Sequence, residues 1–170
     1  PGGFVYISRG LLALADNEAE LAGVLGHEAG HVTARHTAQR YDRAVVGQLG
    51  TVAASVLGGI FLGEAGAQLG QTVAGLGAQA YVQGFSREQE FEADQLGVRY
   101  LVRTGYDPSA MATLLDALDA ETRLQARLTG RENQTPDWLS SHPRARDRVA
   151  RAAEAAKAAG SGALTRICQR

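Results

Sequence analysis

In the first forty positions, the hydrophobic residues first form a short continuous run and then recur at the spacing of a helix. The run Phe4–Ile7 is aromatic and β-branched, lies between glycines and polar residues, and predicts one short strand. Asn17 and Glu20 have the spacing of a capping box, and the apolar residues after them recur three or four positions apart: Leu21, Val24 and Leu25. This pattern predicts a helix from about residue 18 to 40.

The rest of the chain has the same helical character, interrupted by turn residues. The segment 45–83 is rich in Gly and Ala and predicts one or two helices, with each glycine weakening the prediction. Capping residues and prolines predict further helices at 86–103, 107–128 and 143–159. A polar stretch at 129–141 predicts a loop. The predicted fold class is therefore α+β and predominantly helical, with a small N-terminal β-sheet element.

Length and composition favour one folded domain. The chain has 170 residues, of which 45% are hydrophobic and 21% charged, values typical of a globular protein. We expect residues 1–160 to form a single catalytic domain and residues 161–170 a flexible tail. The formal net charge of -1 indicates neither nucleic acid nor an anionic membrane as the main partner. The most apolar run, 52–62, is shorter than the roughly 20 residues of a membrane span, so the sequence alone does not predict one.

The sequence His27-Glu28-Ala29-Gly30-His31 has the pattern HExxH. Residues four apart share one face of a helix, so both imidazoles can reach the same metal ion. Catalytic zinc sites combine three protein ligands with an open position, which predicts one zinc ion per chain held by His27, His31 and a third side chain. Glu28 lies about 100° round the helix from His27, as expected of the general base of a metalloprotease. The simpler alternative is a pair of surface or core histidines.

The third ligand is expected from the acidic segment 88–94. Glu90 and Asp94 are four residues apart and share one helical face, so one can bind the metal while the other accepts a hydrogen bond from a ligand histidine. Glu92 points about 200° away from Glu90 and competes for the ligand role. Spacing alone leaves both glutamates open.

Several motifs in this order resemble the HtpX-like zinc metalloproteases, the family that also contains the type I CAAX prenyl endopeptidases. The matching segments are residues 1–3, 8–12, 20–28 and 35–36, the ExxxD motif at 90–94, and Ser141-His142-Pro143 with Arg148. The resemblance is closest to the soluble periplasmic BepA-like and LoiP-like members. It implies a zincin-like domain of the gluzincin type, with Glu90 as the third zinc ligand and Asp94 supporting a ligand histidine.

The resemblance also implies that the segment containing His142 lies near the active site. His142 would then bind the open metal position or contact substrate, and Arg148 would hold a substrate carbonyl or an acidic partner. The alternative is that Ser141-His142-Pro143 only caps the last helix, with Arg148 exposed.

These features predict a zinc-dependent endopeptidase that hydrolyses unfolded or misassembled proteins in protein quality control. The edge of the strand Phe4–Ile7 would pair with an extended polypeptide substrate. The resemblance places the protein in the bacterial periplasm or at a membrane, with possible association with envelope proteins, although no targeting signal is visible. The alternative is a latent protease that acts mainly as a chaperone or assembly factor, in which zinc stabilises the fold or gates binding.

Overall fold

The computed structural model describes residues 4–82, 85–130, 142 and 146–167. All regular structure in these residues is helical. Tertiary contacts divide the chain into two compact units, one formed by Pro1–Ala34 with Ser86–Arg170 and the other by Arg35–Phe85. The helices, in chain order, are α1 (Arg9–Leu14), α2 (Glu18–Thr33), α3 (His36–Val82), α4 (Arg87–Thr104), α5 (Ala110–Thr129) and α6 (Arg146–Ile167).

The predicted capping residues begin and end the helices that carry the candidate site. Asn17 Oδ1 accepts a hydrogen bond of 3.0 Å from the Glu20 amide at the start of α2. Ser86 and Gln89 form a complete capping box at the start of α4, with each side chain bonded to the other's backbone amide. Gly105 ends α4 in the left-handed conformation, with φ 82°. The helix starts predicted near Asn17 and Ser86 are confirmed, but the capping box predicted at Asn17 is half formed, because Glu20 Oε2 accepts a hydrogen bond from the Asp16 amide instead.

The predicted N-terminal β-sheet element is not shown. The segment Phe4–Ser8 has no regular structure, and the described part of the chain contains no strand. A strand is stable only when a neighbouring strand satisfies its backbone hydrogen bonds, and the described residues provide no such neighbour. The predominantly helical fold is confirmed.

Three further predictions about helix boundaries need correction. Helix α6 continues to Ile167, whereas the sequence predicts its end near residue 159. The first long helix ends at Thr33 rather than near residue 40, because Arg35 has φ 57°, which no helical residue adopts. Helix α5 begins at Ala110, since Asp107 accepts a hydrogen bond from the Ser109 amide and forms a turn first. Of the loop predicted at 129–141, Thr129 instead belongs to α5, and residues 131–141 lie outside the described residues. The division into a domain at 1–160 and a tail at 161–170 stays a prediction, with 168–170 outside the described residues.

The core of the first unit lies between α4, α5 and α6, and α2 packs against it. Apolar residues at helical spacing on these three helices are buried together: Val98, Leu101, Ala110, Met111, Leu115, Ala152 and Ala156. Burying side chains such as Leu101 and Met111 contributes roughly 1.5–3 kcal/mol each. The core therefore holds α4 in place, with one face left to contact α2.

Helices α2 and α4 approach each other at backbone distance. A Cβ atom added to Gly26 would lie 3.2 Å from the Gly97 Cα atom. One added to Gly30 would lie 3.0 Å from the Ala93 carbonyl oxygen and 3.1 Å from its Cα atom. These small residues allow the two helices to pack more closely than larger side chains would permit.

The second unit consists mainly of α3, which is interrupted at Gly63, where φ is 67° and ψ is -156°. The two arms turn back on each other there, and a methyl group on Gly58 would collide with the Gly66 carbonyl. The stretch His36–Gly75 is long and apolar enough to cross a membrane by length and composition, with a mean hydropathy of 1.8 over its most apolar part. None of that part is buried.

We predict that Gly30→Val destabilises the protein by about 1–3 kcal/mol, because the new side chain would overlap the backbone of Ala93. The measurement is the urea midpoint with its slope. Gly160→Val is the matched control, because Gly160 also lies in a helix and has nothing within 4 Å of the added Cβ atom. Equal midpoints for the two variants would contradict the close packing of α2 and α4.

Candidate active site

Two helices bring the three predicted metal ligands together. Helix α2 presents His27 and His31 on one face, and α4 presents Glu90 opposite them. The Nε2 atoms of the two histidines are 3.0 Å apart. The Glu90 carboxylate lies 3.3 Å from His31 Nε2 and 3.6 Å from His27 Nε2. All three residues are buried.

Between the two competing glutamates, the structure brings Glu90 to the histidines. Glu90 is fully buried, with 0% of its surface exposed, whereas Glu92 is exposed. This separation follows from the helical period, which turns residues two apart to nearly opposite faces. The geometry therefore favours Glu90 as the third ligand, as the family resemblance implies.

Asp94 and Arg148 contact this cluster through hydrogen bonds and an ion pair. Asp94 lies one turn after Glu90 on α4, and its Oδ1 atom is 2.8 Å from His27 Nδ1. Arg148, on α6, donates two hydrogen bonds of 2.8 Å to the Asp94 carboxylate and lies 2.8 Å from Glu90 Oε2. Arg148 thus has the acidic partners that the sequence interpretation offered as one of its two roles.

The electrostatics of the cluster keep both carboxylates ionised. Burial opposes the charge on Glu90, but hydrogen bonds from His142 and His31 and the charge of Arg148 outweigh it and hold the pKa of Glu90 far below its usual value. Burial likewise opposes the charge on Asp94, and the hydrogen bonds from Arg148 and His27 lower its pKa.

An ionised Asp94 can only accept hydrogen bonds, so His27 Nδ1 donates to it and Nε2 is directed at the cluster. Burial lowers the pKa of His31, which favours the neutral imidazole, the state that binds a metal.

His142 contacts the same cluster from the opposite side. Its Nδ1 atom lies 3.0 Å from Glu90 Oε1 and 3.4 Å from His27 Nε2. Its Nε2 atom lies 3.5 Å from Glu28 Oε1. The side chain that sequence analysis linked to the site only by resemblance thus lies between the predicted base and the predicted ligands.

The donor set fits a divalent metal ion. One ligand atom from each of His27, His31, Glu90 and His142 lies within 4.8 Å of the others. The measured separations of 3.0–3.6 Å surround the roughly 3.3 Å edge of a tetrahedron with metal–ligand bonds of about 2.0–2.1 Å. Glu90 Oε2 is buried and ion-paired with Arg148 at 2.8 Å, while Oε1 lies nearest to His31 and His142.

A cavity of about 470 Å³ opens beside this cluster. Glu28, His27 and His142 line its polar side, and the segment at Tyr6–Ser8 lines another. Asp94 and Arg148 also line the cavity, and its apolar wall comes from α1, α2 and α5: Leu11, Val24, Met111, Leu114, Leu115 and Leu118. Sequence analysis did not identify this wall, because an apolar stripe that lines a cavity has the same period as one that fills a core.

Comparison with known proteins agrees with this geometry. Residues 1–156 match the model of peptidase family M48. The chain is 38% identical over 148 residues to the β-barrel assembly-enhancing protease of Yersinia pestis, covering 84% of this chain and 28% of the relative. The corresponding protein of Escherichia coli K12 is 36% identical over 153 residues, covering 88% of this chain and 30% of the relative.

This chain is also similar to a mitochondrial protein. The metalloendopeptidase OMA1 of Schizosaccharomyces pombe is 31% identical over 151 residues, covering 88% of this chain and 40% of the relative. The chain thus spans less than half the length of these relatives. The predicted family resemblance is confirmed, and because the family model matches nearly the whole sequence, this chain belongs to peptidase family M48.

Proposed function

We propose that this chain is the catalytic part of a zinc-dependent endopeptidase, with His27, His31 and Glu90 holding the metal and Glu28 acting as general base. The observation that carries the proposal is the buried cluster of two imidazoles and one carboxylate beside a cavity that Glu28 lines. Two imidazoles and a carboxylate are the ligand set of zinc in several hydrolases. The M48 family match supports the peptidase reaction.

The residues around the cavity have different roles in peptide hydrolysis. When bound, zinc would lower the pKa of a water molecule to about 7 and polarise a carbonyl. Glu28 takes the proton from the attacking water and passes it to the nitrogen of the leaving amine. His142, 3.5 Å from Glu28, is suited to donate a hydrogen bond to the carbonyl oxygen as it gains charge.

Of the two roles that the sequence offered for Arg148, the contact with an acidic partner has the support of its position. Its guanidinium spans the Asp94 and Glu90 carboxylates, and only 6% of its surface is exposed. Such a contact fixes Asp94, which in turn orients His27. We therefore assign Arg148 and Asp94 to positioning the ligands.

The cavity favours unfolded polypeptide as substrate. Its apolar wall would accept a large hydrophobic side chain, and folded proteins bury such side chains. The segment Phe4–Ile7 belongs to no helix or strand, and its residues Tyr6 and Ile7 line the cavity. An extended peptide can therefore pair with its backbone. Pairing would create the strand that the sequence predicts.

The biological setting follows from the relatives. Their names describe a protease that enhances β-barrel assembly and a mitochondrial metalloendopeptidase. We propose that this protein degrades misassembled proteins in the bacterial periplasm or at a membrane. Association with envelope proteins is part of this proposal.

A second candidate function is supported by the position of His142. Its Nδ1 atom lies as close to Glu90 as the ligand histidines do, so it can occupy the fourth metal position. The resting protein would then be a latent protease that acts mainly as a chaperone or assembly factor. The two candidate functions use the same site. They differ in whether His142 leaves the fourth metal position.

We expect Glu28→Gln to lower the turnover of an unfolded substrate such as casein by about 10²–10⁴-fold, since the amide cannot take a proton. Zinc content, measured by atomic absorption, should stay at one ion per chain. Glu92→Gln is the matched control, because Glu92 is exposed on α4. Unchanged turnover in Glu28→Gln would refute the proposed base.

His142→Ala distinguishes the open enzyme from the latent one. If the resting protein is the latent candidate, casein hydrolysis should rise by at least about tenfold, which corresponds to a closed state favoured by about 1.4 kcal/mol. A tenfold fall with zinc retained would instead assign His142 to substrate contact and remove the latent candidate. Both outcomes are read from initial rates at equal zinc content.

We expect Arg148→Met to lower the free energy of unfolding of the metal-free protein by about 3–5 kcal/mol, because it leaves two buried carboxylates without a cation. Zinc affinity should fall by about 10–100-fold through the loss of Asp94 orientation. Arg148→Lys should restore part of the stability, and the exposed Arg127→Met serves as control. Zinc affinity equal to that of the wild type would exclude the positioning role.

A further inference from the structure

The helical hairpin formed by α3 has its small residues inside and its large apolar residues outside. Where the arms meet, methyl groups on Gly58 and Gly70 would collide with the carbonyls of Gly66 and Ala54. Such contact is typical of helices that associate in lipid, where small residues let the backbones approach. A water-soluble hairpin has the opposite arrangement, because it hides its large apolar side chains between the helices.

The outer surface of the first arm is apolar over a wide arc. Phe61 is 78% exposed, Ile60 70% and Val56 56%. At about 100° per residue, the exposed apolar side chains between Tyr41 and Phe61 cover roughly 200° of the helix circumference. They are Tyr41, Val45, Val46, Leu49, Val52, Val56, Leu57, Ile60 and Phe61. A protein groove covers one stripe of a helix, whereas lipid covers the whole outer surface.

The distribution of charge agrees with a lipid environment. Between residues 44 and 86 the only charged side chain is Glu64, which follows the turn at Gly63. The arm 44–62 has 19 residues and is roughly 28 Å long at about 1.5 Å per residue. This length is close to the hydrocarbon thickness of a bilayer, about 30 Å.

The base of the hairpin is basic, and its two ends lie together. Arg35, Arg40 and Arg43 precede the apolar arm and outnumber the one carboxylate there, Asp42. The Arg40 guanidinium lies 5.1 Å above the centre of the Phe85 ring at the other end. Both ends can therefore stay on the same side of a membrane. Arginines at this position complement the anionic headgroups of phosphatidylglycerol.

Two ordinary explanations for an apolar helix do not apply. The core helix of a soluble protein is mostly buried, whereas none of the most apolar part of α3 is. A secretory signal stands before the folded domain, whereas α3 follows α1 and α2 in the same chain.

We propose that the α3 hairpin inserts into the hydrocarbon of a lipid bilayer, with its basic base at the headgroups and Gly63–Glu64 at its tip. The proposal goes beyond the peptidase function and does not depend on it. It identifies lipid as the occupant of a surface that sequence analysis, working from the short run 52–62, did not expect to enter a membrane.

A flotation assay tests membrane insertion and does not depend on proteolytic activity. The full chain is mixed with vesicles of phosphatidylethanolamine and phosphatidylglycerol (3:1) and floated on a sucrose gradient containing 0.5 M NaCl. We expect the wild type to float and Val56→Glu to reduce the floated fraction at least tenfold. Leu124→Glu, on an α5 residue that is 49% exposed, is the matched control and should float as the wild type does. Circular dichroism checks that each variant is folded.

Depth is tested by fluorescence quenching in vesicles with brominated acyl chains. The single tryptophan, Trp138, is replaced by Phe, and a new indole is introduced as Val56→Trp or, for comparison, Leu124→Trp. We expect brominated chains to quench the first variant at least twofold and to leave the second unchanged.

Three results would overturn the proposal. Wild-type protein that stays at the bottom of the gradient would exclude insertion. Flotation without quenching of Val56→Trp would indicate binding at the headgroups only. A dimer in lipid-free sedimentation that Val56→Glu dissociates, together with absence of flotation, would make a second copy of the chain the occupant of the hairpin surface.

Discussion

The candidate site depends on the backbone contact between α2 and α4. Gly26 and Gly30 on one helix meet Gly97 and Ala93 on the other, at distances that leave no room for a larger side chain. Each pair is four residues apart, so the contact repeats once per turn. The pairs His27–His31 and Glu90–Asp94 have the same period and are offset from the small residues by one position and by three positions, respectively. The spacing that lets the helices touch therefore also points the imidazoles and carboxylates at one another.

Because the two helices lie so close together, two carboxylates are buried between them and their negative charges need compensation. Glu90 and Asp94 are buried and ionised, and Arg148 supplies the only arginine charge that contacts them in the described residues. One guanidinium against two carboxylates leaves an uncompensated negative charge in a medium of low dielectric. A divalent cation between His27 and Glu90 would neutralise it. Metal binding and the stability of this unit are therefore coupled.

The sequence predicted the local features of this site better than its surroundings. His27, His31, Asn17 and the capping box at Ser86 depend on neighbouring residues, which short-range geometry describes well. The contact of Arg148 with Asp94 joins residues 54 positions apart and follows only from the packing of α6 on α4. The choice of Glu90 over Glu92 needed the family motif.

The missing strand and the break at Arg35 have a different origin. A strand at Phe4–Ile7 needs a partner that no local pattern specifies, and the left-handed Arg35 has no signature such as glycine.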